Sequence, residues 1–188
     1  VKKEEVKRIL SSNQNKEIEF VDTAQAYGNA EKILGECING KNRYKIICKF
    51  PHQKVEFFGE NDKELWDESF YRSLKNLKVN RIDTLLVHST TDLKKRGKEM
   101  LEDWLLKRKE NGEVDRIGVS IYESSELDTI RRELMDVIQL PLSLYDQRLL
   151  QDKTIEKLRN QGTAIHARSL YLQGLLLNTA DKWPSWVS

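Results

Sequence analysis

The sequence has no glycine-rich phosphate turn: its 9 glycines are scattered over 188 residues and nowhere form G-x-G-x-x-G. That removes the fingerprint of a doubly wound dinucleotide-binding sheet. Its 2 cysteines, Cys37 and Cys48, are too few for a disulfide framework and lack metal-site spacing. No pair of His, Cys or carboxylate residues has ligand spacing on one element, so no metal is expected. No apolar run approaches the roughly 20 residues needed to span a bilayer. Val1-Lys2-Lys3-Glu4-Glu5 has no apolar core and does not read as a secretory signal. Lys+Arg 32 against Asp+Glu 30 leave a net charge of only +2. Such near-balance gives no footprint for nucleic acid or an anionic membrane. The expectation is an ordinary globular chain in a reducing, cytoplasmic setting. Residues 1–188 form a single domain or part of one.

What is present is alternation. Short β-rich apolar runs occur at Ile18–Val21, Tyr44–Phe50, Ile82–His88, Arg116–Ile121, Val137–Leu142 and Thr163–Ser169. Several are apolar on consecutive positions, as strands buried on both faces are. Between them lie amphipathic stretches. Ala30, Ile33, Leu34, Cys37 and Ile38 make one stripe, with Asn29 placed to cap it. Trp66, Phe70, Leu74 and Leu77 mark a second helix; Met100, Leu101, Trp104 and Leu105 mark a third, stopped at Gly112. Ser124 or Ser125 is placed to cap a helix carrying Leu127, Ile130 and Leu134. Ile155 and Leu158 mark another, ended at Gly162. Val6, Ile9 and Leu10 form an apolar face ahead of the first strand. The polar, basic run Ser89–Lys98 reads as a solvated loop. Repeated strand–helix units predict a parallel α/β sheet, and the missing phosphate turn favours a barrel over a doubly wound sheet.

Three successive strands release a polar residue where the apolar run stops. Phe20-Val21 leads to Asp22, with Tyr27 in the same loop; Ile46-Ile47-Cys48 leads to Lys49; Leu85-Leu86-Val87 leads to His88. In a parallel barrel the strand C-termini share one face, so these four side chains converge without being close in sequence.

Asp22-Thr23-Ala24-x-x-Tyr27-Gly28-Asn29 resembles the D-T-A-x-x-Y-G-N signature of the aldo-keto reductases. Lys49 in Ile47-Cys48-Lys49-Phe50 and His88 in Ile82–His88 match the strands that bring that family's lysine and histidine. Arg116-Ile117-Gly118-Val119-Ser120 is similar to its R-x-I-G-V-S strand. The match runs in order from about Val6 to Leu176. The resemblance implies a (β/α)8 TIM barrel of the aldo-keto reductase type, incomplete here and spanning about strands two to seven. It leaves three readings: a longer polypeptide, closure by a second chain, or a degenerate relative.

The implied activity is NADPH-dependent reduction of an aldehyde or ketone to an alcohol. Carbonyl reduction needs a hydride on carbon and a proton on oxygen. A free phenol, with a pKa of about 10, is a reluctant donor, and a neighbouring ammonium stabilises the phenolate. Tyr27 is the expected donor, Lys49 the ammonium and Asp22 the compensating charge. His88 is expected to orient the substrate oxygen. For the cofactor, the resemblance points to Asp22, Ser120, Gln139, Arg168, Ser169, Leu170 and Gly174. Ser120 and Gln139 match the residues holding the nicotinamide carboxamide, although Ile121 stands where the family often has asparagine. Arg168 replaces a stacking aromatic; a guanidinium can stack on a ring or contact a phosphate, although it would repel a cationic nicotinamide, and the other reading of Arg168 is a structural ion pair. Ser169, Leu170 and Gly174 match a loop along the pyrophosphate.

The implied partner is a small-molecule carbonyl, with no nucleic acid or membrane partner. His52 reads as a surface loop residue or a wall of the substrate mouth, and His166 as a core or helix-facing histidine. Trp183 and Trp186 read as the start of a lid or a tail packed on the rim. No heptad or large apolar face reveals an oligomeric state. The competing function is a catalytically impaired, reductase-like module that senses nicotinamide, regulates or depends on a partner.

Overall fold

Each of the six apolar runs forms a strand, and each strand pairs with the next. The computed structural model describes residues 2–12, 18–38 and 44–183. The elements are α1 (Lys3–Ser12), β1 (Phe20–Asp22), α2 (Ala30–Ile38), β2 (Lys45–Phe50), α3 (Asp62–Leu77) and β3 (Ile82–Val87). They continue with α4 (Lys98–Glu110), β4 (Val114–Ser120), β5 (Val137–Pro141), α5 (Arg148–Gln151), α6 (Thr154–Asn160) and β6 (Ala164–Arg168). The sheet order is β1-β2-β3-β4-β5-β6, parallel throughout. This is the core of an incomplete barrel, and its curvature is visible in two contacts. Phe20 of β1 and His166 of β6 stand at opposite ends of the strand order, yet their rings lie 5.3 Å apart. Gln139 of β5 likewise reaches back to Asp22 of β1.

Strand alternation sorts the side chains into two layers. Ile46, Cys48 and Phe50 of β2, Leu85 and Val87 of β3, and Ile138 and Leu140 of β5 pack outward into the helix-covered core. Trp66, Phe70, Leu101, Trp104 and Leu105 from α3 and α4 meet them there. The inward positions Ile47, Leu86 and Val137 form a smaller cluster with Phe20 and Ala164. Because both faces are covered, the strands read as continuous apolar runs.

Helix ends follow the expected chemistry: Gly112 and Gly162 adopt φ of 72° and 80° after α4 and α6. Asn29 stands just before α2, its carbonyl accepting from the Ile33 amide at 3.0 Å. Two expectations are corrected. The stretch from Ser124 to Leu134 is not an α-helix but two 3-10 turns, Ser124–Thr129 and Arg132–Leu134. Its cap is Glu123, in a reciprocal box with Glu126, rather than Ser124 or Ser125. Ile130 and Leu134 still reach the core, because a tighter helix can meet the same apolar spacing. The Ser89–Lys98 run is also not uniformly solvated: Thr90, Asp92 and Leu93 are buried in a 3-10 turn. The Gln53 amide donates to the buried Asp92 at 3.1 Å, and the Lys95 ammonium (2.8 Å) and the His52 ring nitrogen (3.1 Å) lie beside it. Among the described residues no helix is long and apolar enough to cross a membrane. Trp186 lies outside the described residues, whereas the Trp183 ring nitrogen donates to the Asn178 carbonyl at 3.1 Å.

Two glycines permit close approach of backbone. A Cβ on Gly118 would collide with the Val137 carbonyl and the Leu86 side chain, and one on Gly35 with the Asn76–Leu77 backbone at the end of α3. Gly118→Ala and Gly35→Ala should therefore each cost about 1–3 kcal/mol, the usual range for overpacking. Urea unfolding checks this; wild-type stability in both variants would contradict the packing described.

Candidate functional site

Toward the C-terminal ends of the strands, several inward positions carry polar side chains. Lys49, the fifth residue of β2, is only 2% exposed, and its ammonium donates to Asp22 Oδ1 at the end of β1. Gln139 on β5 donates through Nε2 to the other oxygen of Asp22 at 3.1 Å. Both oxygens of this carboxylate are thus engaged, one of them by the buried ammonium that needs a counter-charge. Tyr27 stands above, 50% exposed, with the Lys49 ammonium 5.2 Å from its ring centroid. His88, directly after β3, meets Tyr27 edge-on with ring centroids 6.1 Å apart. Burial, and then the Lys49 charge, push the His88 imidazole below its ordinary pKa. It is therefore neutral at pH 7, with a ring N–H to give and a lone pair to receive.

The sequence-derived quartet of Asp22, Tyr27, Lys49 and His88 is thus brought together. Of the other expected residues, Ser120 is buried and sits opposite Gln139 in the β4–β5 register. Gln139 is buried too, and its Oε1 has no hydrogen-bond partner among the described residues. A buried acceptor without a donor is uncommon. This one suits an amide N–H, so Ser120 and Gln139 fit a carboxamide. Ile121 is fully buried and engages only through its backbone: its N–H donates to the Gln139 carbonyl, and its own carbonyl accepts from Arg168. Arg168 ends β6, and its guanidinium lies 4.0 Å over the Tyr122 ring. Ser169 (φ 62°) and Gly174 (φ 91°) flank a tight loop that also holds Leu172 and Gln173 at positive φ. Non-glycine residues in that region cost on the order of 1 kcal/mol each. Ser169, Leu170 and Gly174 make no hydrogen bond or ion pair with the quartet's side chains among the described residues.

Several contributors have no signature in the sequence. Gln25, two residues before Tyr27, donates to the Ser69 carbonyl (2.9 Å) and the Ser73 hydroxyl (2.7 Å) and accepts from the Ser69 hydroxyl (2.7 Å). These bonds fasten the Tyr27 loop to α3, beside the fully buried Ala24. Tyr122 is a second, as the platform under Arg168. Behind Lys49, Cys48 faces outward and donates to Glu31 Oε1 at 3.2 Å; burial, then the Glu31 charge, push its thiol well above the usual range. Both cysteines are free, and the buried one is an unreactive thiol. His52 is a partner of Asp92 at the rim. His166 is half-buried inside the barrel against Phe20, and burial, then Arg116, lower its pKa. A cleft of about 350 Å³ borders Asp22, Tyr27, Val6 and Ile33 but not Lys49, His88 or Arg168. It flanks the site rather than forming its mouth. No group of His, Cys, Asp or Glu among the described residues is arranged to hold a metal ion.

Comparison with known proteins agrees with this architecture. The model of the Aldo/keto reductase family matches residues 1–185. The chain belongs to that family. Among solved structures it is similar to an aldo-keto reductase from Bacillus halodurans in its holo form, with a TM-score of 0.77 and 20% identity. That alignment covers 98% of this chain and 62% of the other. A Klebsiella pneumoniae aldo/keto reductase in complex with NADP and acetate gives 0.74 at 18% identity, covering 94% and 64%. The glycerol dehydrogenase of Gluconobacter oxydans gives 0.70 at 22%, covering 96% and 58%. At these identities the likeness speaks for the fold. The chain thus spans less than two thirds of the length of these three structures. No curated protein sequence matches it.

The geometry of this candidate site has two measurable consequences. The lowered pKa of His88 means that the unfolded chain takes up the proton first on acidification. The histidine's effect on stability therefore falls as pH drops from 6.5 toward the lower folded value. An NMR titration should place the His88 midpoint below 6.5; a midpoint above it would contradict the buried setting described. For the anchor, Gln25→Leu should speed hydrogen exchange of the loop 22–29 roughly tenfold or more while leaving β3 and β5 protected, since about three hydrogen bonds at ~1 kcal/mol each are lost. Unchanged exchange would show that Gln25 does not hold the loop.

Proposed function

We propose that this chain carries the catalytic centre of an NADPH-dependent reductase that converts an aldehyde or ketone into an alcohol. The observation that carries this reading is the Asp22–Lys49 pair, with Lys49 buried beneath a half-exposed Tyr27 and beside His88. Reducing a carbonyl adds a hydride to carbon and a proton to oxygen. A bound reduced nicotinamide supplies the hydride. Ser120 and Gln139 would hold its carboxamide, the Gln139 Oε1 receiving the amide N–H that it lacks here. Arg168, Ser169, Leu170 and Gly174 would line the cofactor side beyond them, and Asp22 borders the same space. The NADP bound to the Klebsiella relative supports the choice of nicotinamide.

Tyr27 gives its phenolic proton to the carbonyl oxygen as negative charge builds there. Lys49 stabilises the phenolate left behind, and Asp22 supplies the opposite charge beside that buried ammonium. His88, uncharged, donates a ring N–H to the same oxygen and fixes its direction. Its neutrality matters: an imidazolium beside Lys49 would add a second cation to a half-buried site.

The test follows NADPH absorbance over a panel of aldehydes and ketones. Tyr27→Phe and Lys49→Met should each lower turnover about 10²–10⁴-fold, the usual contribution of positioned proton transfer. Undiminished turnover in Tyr27→Phe would sink the assignment. NADPH binding without any turnover would instead favour a nicotinamide-sensing, non-catalytic module.

A further inference from the structure

Among the described residues at the mouth of the barrel, Arg168 is a half-buried cation without an ion pair. Lys49 is matched by Asp22, and His88 is held neutral. At the rim Lys95 and His52 share Asp92, and Arg148 is matched by Asp146 at 3.0 Å. Arg168 has no carboxylate within ion-pair distance among the described residues. One bond occupies its head, from Nη2 to the Ile121 carbonyl at 3.2 Å, and its buried Nε has no partner. A half-buried guanidinium with free donors is costly unless an anion meets it.

The same head is fixed rather than floppy. Tyr122 lies 4.0 Å beneath it, and a short chain of hydrogen bonds ties it to the reacting centre. Arg168 donates to Ile121, the Ile121 N–H donates to the Gln139 carbonyl at 2.9 Å, and the Gln139 amide donates to Asp22. A stacked guanidinium presents its remaining N–H groups in a plane that matches a carboxylate or phosphate.

We infer that Arg168, braced by Tyr122, receives an anionic group, a carboxylate or phosphate, on a molecule bound at the mouth. This deepens the reductase reading and rests on the same site. One source of the anion is a carbonyl substrate that bears a carboxylate; the other is a phosphate of the cofactor.

Equilibrium binding by calorimetry separates the sources without requiring turnover. Phenylglyoxylate and its neutral amide serve as carbonyl probes, and NADPH is titrated separately, against the full chain and Arg168→Met. A substrate anion predicts that wild type binds the acid about tenfold or more tightly than the amide, and that Arg168→Met brings the ratio to about one. A cofactor phosphate predicts instead that Arg168→Met weakens NADPH roughly tenfold while the acid–amide ratio stays put. Arg168→Lys keeps the charge but not the planar stack, and should fall between wild type and Arg168→Met in whichever arm responds. If both affinities survive Arg168→Met, with circular dichroism showing an intact fold, Arg168 is not an anion site. Because every arm reads binding, absence of turnover would count against the reductase reading and leave this one standing.

Discussion

The ion pair between Lys49 and Asp22 is the constraint around which the inner face is built. Lys49 is buried where the neighbouring layer is apolar, so its counter-charge must come from Asp22, which stands at the exposed end of the adjacent strand. Such a pair gains little net stability, but removing one partner strands the other. Asp22 therefore commits its second oxygen to Gln139, and through that bond the short edge strand β1 is held against β5, across the inside of the curved sheet. Register, curvature and chemistry are thus joined in one carboxylate. Moving Lys49 by one residue along β2 would point it into the helix-covered layer, where Cys48 now sits.

The alternation that makes this possible also separates function from packing. On β2, Ile46, Cys48 and Phe50 belong to the outer core, while Ile47 and Lys49 face inward. The outer layer can be apolar and close-packed because the inner layer carries the polar work. Glu31, one of the charges in the outer layer, is buried and tied to Cys48 and to Asn76 of α3 (3.2 Å). Those bonds join α2, β2 and α3 behind the site, and Gln25 joins the Tyr27 loop to the same α3. Tyr27 is the one member of the quartet carried by a loop rather than by a strand end, so its direction depends on such ties more than that of Lys49 does.

Much of this is legible in the sequence alone, for a physical reason. A strand buried on both faces is mostly an apolar run, so a polar residue that ends one is conspicuous. Asp22, Lys49 and His88 therefore stand out as breaks in the pattern. The Gln25 anchor does not, because its partners Ser69 and Ser73 lie 44 and 48 positions away and look like any polar residues on a helix. Asp92 is hidden inside a basic, polar run, where average polarity conceals a single buried carboxylate with its three nitrogen neighbours. The stretch from Ser124 to Leu134 looks α-helical because apolar spacing alone does not separate an α-helix from successive 3-10 turns. Glu126 decides it: its carboxylate accepts from the Tyr122 and Glu123 amides and from Thr90, holding that segment against the turn after β3.

The electrostatic balance at the mouth links these features to the proposed chemistry. A carbonyl oxygen becomes negative as hydride arrives, and a site that already holds positive charge needs less reorganisation around it. Asp22 cancels Lys49 in the resting state, so that pair by itself offers a dipole rather than a net charge. A protonated His88 would add charge, but burial and Lys49 oppose it. Arg168 is then a half-buried cation without an ion pair near the strand ends, stiffened by Tyr122 and linked through Ile121 and Gln139 to Asp22 itself. A fixed positive charge in that position favours whichever state brings negative charge to the mouth. A substrate anion, a cofactor phosphate and a developing alkoxide all satisfy that condition, whereas a cationic oxidised nicotinamide opposes it. Because reduction makes the nicotinamide cationic in the same step that makes the alkoxide, the guanidinium's net effect on hydride transfer is set by which of those two charges lies nearer to it.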